Sequence, residues 1–353
     1  MTERSDADAL HRSLLTLDSH IDIPWPDGDD PFERSAERRV DLVKMREGGV
    51  SAGCFAAYIP QGPTDAAGHA EASDRAFAML NRIREMGAER NGIAARICDS
   101  ADAIDRARAE GAIAIVPAIE NAYAVGEDLS LVARYRALGV RYMTLTHNGH
   151  NAVADSAIPR RDLGDGETRW NGLSPFGLEL VAELNRHGVL IDVSHLSRDG
   201  MLQAAARSAT PVVATHSCVR ALSDHRRNLD DTQLDALRET GGLIQITAMP
   251  GFLRPRGVKP DGRPADVADL VDHIDYVADR IGAAHVGISS DFDGGGAIMG
   301  WRDASESPAI TAELIRRGYA TAEIAALWGG NLLRLLRKAE AISGCHSVPD
   351  EDR

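Results

Sequence analysis

Histidines and carboxylates are the side chains of this chain whose placement can do chemistry. In Asp18-Ser19-His20-Ile21-Asp22, His20 and Asp22 stand two residues apart, so on a strand they face the same side. An imidazole and a carboxylate on one face can bind one divalent ion. Taken alone, the pair also fits a histidine and an acid at a loop edge. The apolar run Ala112–Ile119 ends at Glu120. A carboxylate there needs a partner, because an unpaired buried charge is expensive; a metal or a basic side chain can serve. His147, His195 and His216 close three further runs, after Thr144-Leu145-Thr146, Asp192-Val193-Ser194 and Ala214-Thr215. Asp291 follows Ser289-Ser290 and leads into Asp293-Gly294-Gly295-Gly296, where glycines allow a tight turn against a ligand. The same dipeptides are ordinary turn punctuation, and the run lacks the Gly-Lys-Ser/Thr ending of a phosphate loop.

Four of the 12 histidines therefore lie at the ends of separate strand-like runs. His20, Asp22, Glu120, His195 and His216 are too many ligands for one tetrahedral zinc that keeps an open position. They suit two ions sharing a bridging carboxylate, which clamp a substrate oxygen and make hydroxide available near neutral pH. Asp291, not needed as a ligand, is free to shuttle a proton.

The elements that must bring these groups together alternate. Strands are expected at Leu15–Ile23, Val50–Tyr58, Ala112–Ile119, Arg141–Thr146, Val189–Val193, Val212–Thr215, Leu243–Thr247 and His285–Ser290. They are mostly short and apolar, as in a sheet buried on both faces. Helical patterns follow at Ala70–Gly87, Ser100–Glu110, Asp128–Leu138, Pro175–His187, Arg198–Ser208, Thr232–Thr240 and Val267–Ile281, then at Ala309–Arg317 and Thr321–Ala339. Ser174-Pro175 marks a helix start, Gly188 a helix end, and Asp230-Asp231-Thr232 a cap. Eight strands alternating with helices predict a (β/α)8 TIM barrel, with the doubly wound open sheet as the alternative. One barrel domain over 1–353 is expected, with an extended N-terminal segment and a short C-terminal tail. Surface loops are expected at Trp25–Val40, Asn148–Asn171 and Arg254–Ala265; the second is long enough to suggest a functional loop.

At 353 residues, 44% hydrophobic and 26% charged, the chain has the makings of a large core. Its net charge of −14 argues against nucleic acid, which needs a basic face. Cys54, Cys98, Cys218 and Cys345 have no CxxC spacing, so neither a disulfide framework nor a zinc knuckle is expected. The polar start MTERSDADALHRSLL is no secretory signal, and no run of about 18 apolar residues predicts a membrane span. A cytoplasmic location is the expectation.

Together the motifs DSHIDIPW, RYMTLTHN, GLSPFGLELVAELNRHGVLIDVSHLS, PVVATHS, RRNLDD and HVGISSDFDGG, with the late EIAALWGGNLLRLL, resemble the membrane (renal) dipeptidase family of zinc peptidases. The likeness runs from about Leu17 to Arg337, and the GLSPFG to DVSH stretch is its most specific part. It implies a homodimeric barrel enzyme with two zinc ions that hydrolyses dipeptides and tolerates a D-residue at the second position. His20 and Asp22 match ligands of the first ion, His195 and His216 those of the second, and Glu120 the carboxylate between them. His147 matches the histidine that polarises the scissile carbonyl, Asp291 the acid that gives a proton to the leaving amine, and Trp25 an aromatic at the mouth. Arg227 matches the arginine that holds the substrate carboxylate, a role that planar, bidentate guanidinium suits. Locally, Arg226 and Arg227 both also fit surface charges.

This chain departs from the family at two places. Asn121-Ala122 follows Glu120 where glycine is usual, and Thr247-Ala248-Met249 replaces Asn-Phe-Tyr, removing a pocket tyrosine. Two other readings use the same residues: a binuclear metal amidohydrolase acting on another amide, a lactone or a phosphoester, and a non-catalytic metal-binding protein.

Overall fold

The structure, a computed structural model, describes residues 2–23 and 29–343. Trp25, Cys345 and the expected tail fall outside them. Eight parallel strands run in sequential order: β1 (Leu17–Asp22), β2 (Ala52–Tyr58), β3 (Ile113–Glu120), β4 (Tyr142–Thr144), β5 (Leu190–Asp192), β6 (Val213–Ser217), β7 (Leu243–Thr247) and β8 (Val286–Ser289). Just beyond β8, Phe292 bridges Ile21 of β1 in parallel, Phe292 O accepts from Asp22 N at 3.0 Å, and Asp291 N donates to His20 O at 3.1 Å. The sheet thus closes into the expected TIM barrel, and three of the chemical residues, His20, Asp22 and Asp291, make the seam.

Period-two alternation gives each strand two jobs. Along β3, Ile113, Ile115 and Ile119 join the larger core with helix residues such as Leu80, Ile83 and Leu131. Ala114, Val116 and Ala118 join a second cluster with Leu17, Cys54, Tyr142, Leu190, Val213 and Leu243. Glu120 continues the face of Ala118, so the alternation carries its carboxylate to the end of that second row. Two strands break register, β1 between Asp18 and Ile21 and β6 between Ala214 and Ser217. Such bulges re-aim side chains, and the shifted residues include His20 and His216.

Between strands, the helices start where their caps dictate. Ser174 accepts from Gly177 N with Pro175 at the first position, and Asp230 forms a capping box with Gln233. Gly188, at φ +63°, follows the helix Pro175–Arg186 as expected. The helix Val267–Ile281 has the expected bounds.

Several elements differ from expectation. Helix Ala66–Arg84 begins early because Asp65 caps it. The late helix is not continuous: a π turn at Ala326–Gly330 separates Thr321–Ala325 from Asn331–Ser343, where Gly329 lies so close to Leu15 O that a Cβ would stand 2.7 Å away. Helices Thr2–Ser13 and Leu42–Gly48 and the hairpin Glu89–Arg90/Ile93–Ile97 were not expected. The hairpin turns on Asn91-Gly92, both at positive φ, a pairing that favours type I′ turns; its second arm pairs with the lower half of β3. Loop 148–171 is tied down by Asp155, which accepts from the backbone N–H of Arg169, Trp170 and Gly172. No helix among the described residues is long and apolar enough to cross a membrane. Cys54, Cys98 and Cys218 are buried free thiols.

Candidate metal centre

At the C-terminal ends of the strands, His20, Asp22, Glu120, His195 and His216 converge. Glu120 faces both halves of the group. Its Oε2 is 3.7 Å from His20 Nε2, which is 3.5 Å from Asp22 Oδ1. Its Oε1 is 3.1 Å from His195 Nε2 and 3.4 Å from His216 Nε2, with His147 Nε2 at 3.9 Å. The two imidazole nitrogens of His195 and His216 face each other at 3.0 Å.

Whether these residues fit a metal is decided by their outer atoms. Tyr142 Oη donates to Ser19 O (3.1 Å), so it accepts from His20 Nδ1 at 2.8 Å. Thr215 Oγ1 donates to Asp192 Oδ2 (2.7 Å), so it accepts from His216 Nδ1 at 3.0 Å. Asn148 Oδ1 accepts from His195 Nδ1 at 3.1 Å. All three rings therefore carry their proton on Nδ1 and turn an Nε2 lone pair toward Glu120, the arrangement that metal-ligating histidines adopt. Among the described residues, His20 Nε2 and Asp22 Oδ1 are buried without a hydrogen-bond partner. Buried polar atoms rarely stay unsatisfied, and imidazole nitrogens with carboxylate oxygens are the donor set of zinc-like cations.

The electrostatics agree. Burial, with Arg227 nearby, keeps His195 well below the usual imidazole range, and burial holds His216 down at about 3. Burial opposes the charge on His20, but Glu120 and Asp22 outweigh it and raise this imidazole. Burial also raises Glu120, but His147 and His20 outweigh it and hold its carboxyl low. Burial and the facing Glu120 push Asp22 up to about 6, and burial pushes Asp291 up to about 8. Two imidazoles held neutral, a third drawn toward its charged form and crowded carboxylates leave a place where a bound cation would reverse the local balance.

Asp291 sits beside this cluster at φ +57°. Gly294 makes room for it: a Cβ there would stand 2.4 Å from Asp291 Oδ1 and 2.7 Å from Asp22 Oδ2. His195, Asn121 and Asp293 share positive φ, a concentration of uncommon backbone typical of functional sites.

A cavity of about 550 Å³ opens over the cluster, within the range of small-molecule sites. Its lining includes Tyr58, His147, Ile158, Arg227, Met249, Phe252 and Asp291. Arg226 and Arg227 part ways here. Arg226 is on the surface, paired with Glu167 at 2.7 Å. Arg227 is 3% exposed, donates to His216 O at 3.2 Å, and lies 5.3 Å from the Phe252 ring centre. Its Nε has no partner among the described residues, and burial lowers its pKa to about 10. Met249 reaches over Gly295 on the loop that carries Asp291.

The residues singled out in the sequence are thus brought together, apart from Trp25, which lies outside the described residues. Missed were the groups that aim them: Tyr142, Asn148, Thr215 and Asp192. Asp192 carried a signal, a carboxylate in an apolar run like that before Glu120. It also falls within ligand range of His20 and His216. Its oxygens, however, are occupied by the hydroxyls of Thr144 and Thr215 and the N–H groups of Ser194 and Thr215.

Comparison with known proteins gives one answer. The family described as membrane dipeptidase (peptidase family M19) matches residues 4–347. Dipeptidase tcpJ of Claviceps purpurea is 33% identical over 325 residues, 89% of this chain and 73% of its own length. Among solved structures, the probable dipeptidase PvdM from Pseudomonas aeruginosa superposes with a TM-score of 0.90 at 32% identity, covering 97% of this chain and 99% of that one. A metallopeptidase from Rhodobacter sphaeroides, liganded with a phosphinate mimic of the dipeptide L-Ala-D-Ala, gives 0.78 at 28% identity, covering 92% and 99%.

Proposed function

The chain belongs to the membrane dipeptidase family and is a metallo-dipeptidase, and on that premise we propose that its barrel mouth is a binuclear zinc centre whose cavity reads a dipeptide by its C-terminal carboxylate. The carrying observation is the convergence of three Nε2 lone pairs and Asp22 on the two oxygens of Glu120. His20 and Asp22 would hold one ion, His195 and His216 the other, and Glu120 both. Bound there, the ions supply Lewis-acid polarisation of the peptide carbonyl and a nucleophilic water at neutral pH.

The chain's own groups do the rest. Arg227, desolvated and with an open Nε, binds the free carboxylate, a charge-assisted contact that fixes the register of the substrate. His147, at the edge of the cluster, donates to the carbonyl oxygen as negative charge grows on it. Asp291, whose burial favours the protonated form, holds the proton that leaves with the amine. The R. sphaeroides relative was captured with a mimic of L-Ala-D-Ala, which supports extending this chain's substrates to dipeptides with a D-residue second. Trp25 remains a proposed aromatic at the mouth on resemblance alone.

The test is a mixed-chirality dipeptide library turned over by purified protein, with elemental analysis of the same sample. Turnover with two zinc per chain is expected. A single equivalent of metal, or activity confined to lactones or phosphoesters, would sink the proposal.

A further inference from the structure

We infer that Asn121 is a positioning residue for the Glu120 carboxylate, clamping together the loops that follow β2, β3 and β4. Asn121 is fully buried, with φ +89° and ψ 103°, outside the small left-handed region that L-residues tolerate. Its side chain uses its whole hydrogen-bonding capacity. Nδ2 donates to Ile59 O at 2.9 Å and to Gln61 Oε1 at 3.2 Å. Oδ1 accepts from Tyr123 N at 3.1 Å and from Asn151 Nδ2 at 3.0 Å. Asn151 carries the tie onward, donating to Leu145 O at 2.9 Å and accepting from Val153 N and Ala154 N. Ile59 N donates to Glu120 O at 3.0 Å, so the loop after β2 also holds the Glu120 backbone itself.

The bond from Ile59 N to Glu120 O and the Asn121 clamp together hold the backbone from which the Glu120 side chain leaves the strand. An uncommon φ at the next residue persists only where its surroundings over-determine it. Here they do: one amide ties residues 59–61, 121–123 and 151–154 at a single point beside the shared carboxylate. His147 leaves the same loop as Leu145, so the clamp also limits how far that ring can move from Glu120. A metal shared by both halves of the cluster needs Glu120 oriented to serve both, and the clamp steadies the backbone that carries it.

The inference rests on the reading of Glu120 as the shared metal ligand, and the experiment separates the two. Full-length, metal-loaded wild type, Asn121→Gly, Asn121→Ala, Gln61→Ala and Glu120→Gln are dialysed against graded chelator. Retained metal is read by elemental analysis and unfolding by circular dichroism. Glycine, the residue usual here in the family, adopts the backbone conformation without strain, so Asn121→Gly removes the clamp without adding backbone strain. It is expected to release metal at several-fold lower chelator than wild type, with kcat falling more than KM rises. Asn121→Ala adds backbone strain and lowers the melting temperature further. Gln61→Ala removes one of the four bonds and shifts retention less, in the same direction. If Glu120→Gln keeps its metal, the reading of Glu120 fails. If Glu120→Gln loses metal while Asn121→Gly and Gln61→Ala hold it like wild type, Asn121 is merely structural and the inference is overturned.

Discussion

The cavity has two kinds of wall. The metal-facing part is carried on strand ends, and three of its rings are fixed from behind: His20 by Tyr142, His195 by Asn148, His216 by Thr215 and through it Asp192. The part formed by Arg227, Met249 and Phe252 stands on the loops after β6 and β7. There the Arg227 side chain makes one hydrogen bond among the described residues, to a main-chain carbonyl, with an aromatic ring beside it. The first wall is over-determined and suits a constant reaction. The second is lightly held and presents one desolvated cation with apolar neighbours, which suits recognition. Variants of the two walls should therefore fail differently, one through metal and the other through substrate.

The largest effect is expected at Arg227. Truncating one partner of a buried charge pair costs about 2–5 kcal/mol, so Arg227→Ala should lower kcat/KM on dipeptides by about 30- to 4,000-fold. Bound metal should be unchanged, and the preference for dipeptides over their C-terminal amides should vanish. Arg226→Ala is the control. Its exposed pair with Glu167 is worth at most about 1 kcal/mol, and nothing links it to the cavity. Equal losses in the two variants would remove the carboxylate clamp from the account.

The same contrast explains what could be read from the sequence. The strand-end histidines and acids were legible because a parallel barrel turns sequence position into spatial position: whatever ends a strand arrives at the mouth. Glu120 was legible because an apolar run leaves a carboxylate no solvent. The aiming groups were not, because their contacts are remote in the chain; His20 and Tyr142 are 122 residues apart. The register shifts in β1 and β6 leave no local signature either. Arg226 and Arg227 are neighbours of one type, and only the loop's path buries one of them; the family resemblance, not local chemistry, favoured Arg227. The hairpin at Asn91-Gly92 had a readable turn, but its first arm is only Glu89–Arg90 and its second, Ile93–Ile97, is too short to show a period. Asn121 stood out as a departure from the family, while its clamp depends on Gln61 and Asn151, which nothing local connects to it.

A smaller effect should mark the first wall. Tyr142→Phe keeps the ring and its packing but removes the acceptor for His20 Nδ1 and the donor to Ser19 O. His20 is then free to change tautomer or tilt. Metal affinity, measured by competition with a chromogenic chelator, should fall about 10–100-fold. Discrimination between dipeptides and their amides should stay as in wild type, because Arg227 is untouched. A variant that binds metal normally but confuses the two substrates would mean the walls are not separable.

The smallest effect is electrostatic and appears only with the ions removed. Burial pushes Asp291 up to about 8, and Glu120 and Asp22 outweigh burial to raise His20 well above its usual range. A group whose folded pKa exceeds its unfolded value binds its proton more tightly in the folded state, so stability falls as pH rises toward the folded value. His195 and His216 have the opposite sign, but their contribution is nearly complete once free imidazole is neutral, near pH 7. From pH 7 to 8.5 the chelated protein should therefore lose about 1–2 kcal/mol, or roughly 1–3 °C in melting temperature. With ions bound the carboxylates are neutralised and the profile should be flat. Asp291→Asn removes one titrating acid and should make the slope of the chelated protein shallower. A chelated wild type that melts higher at pH 8.5 than at pH 7 would mean that Asp291 already carries its charge beside Arg227, and that the proton given to the leaving amine comes from elsewhere.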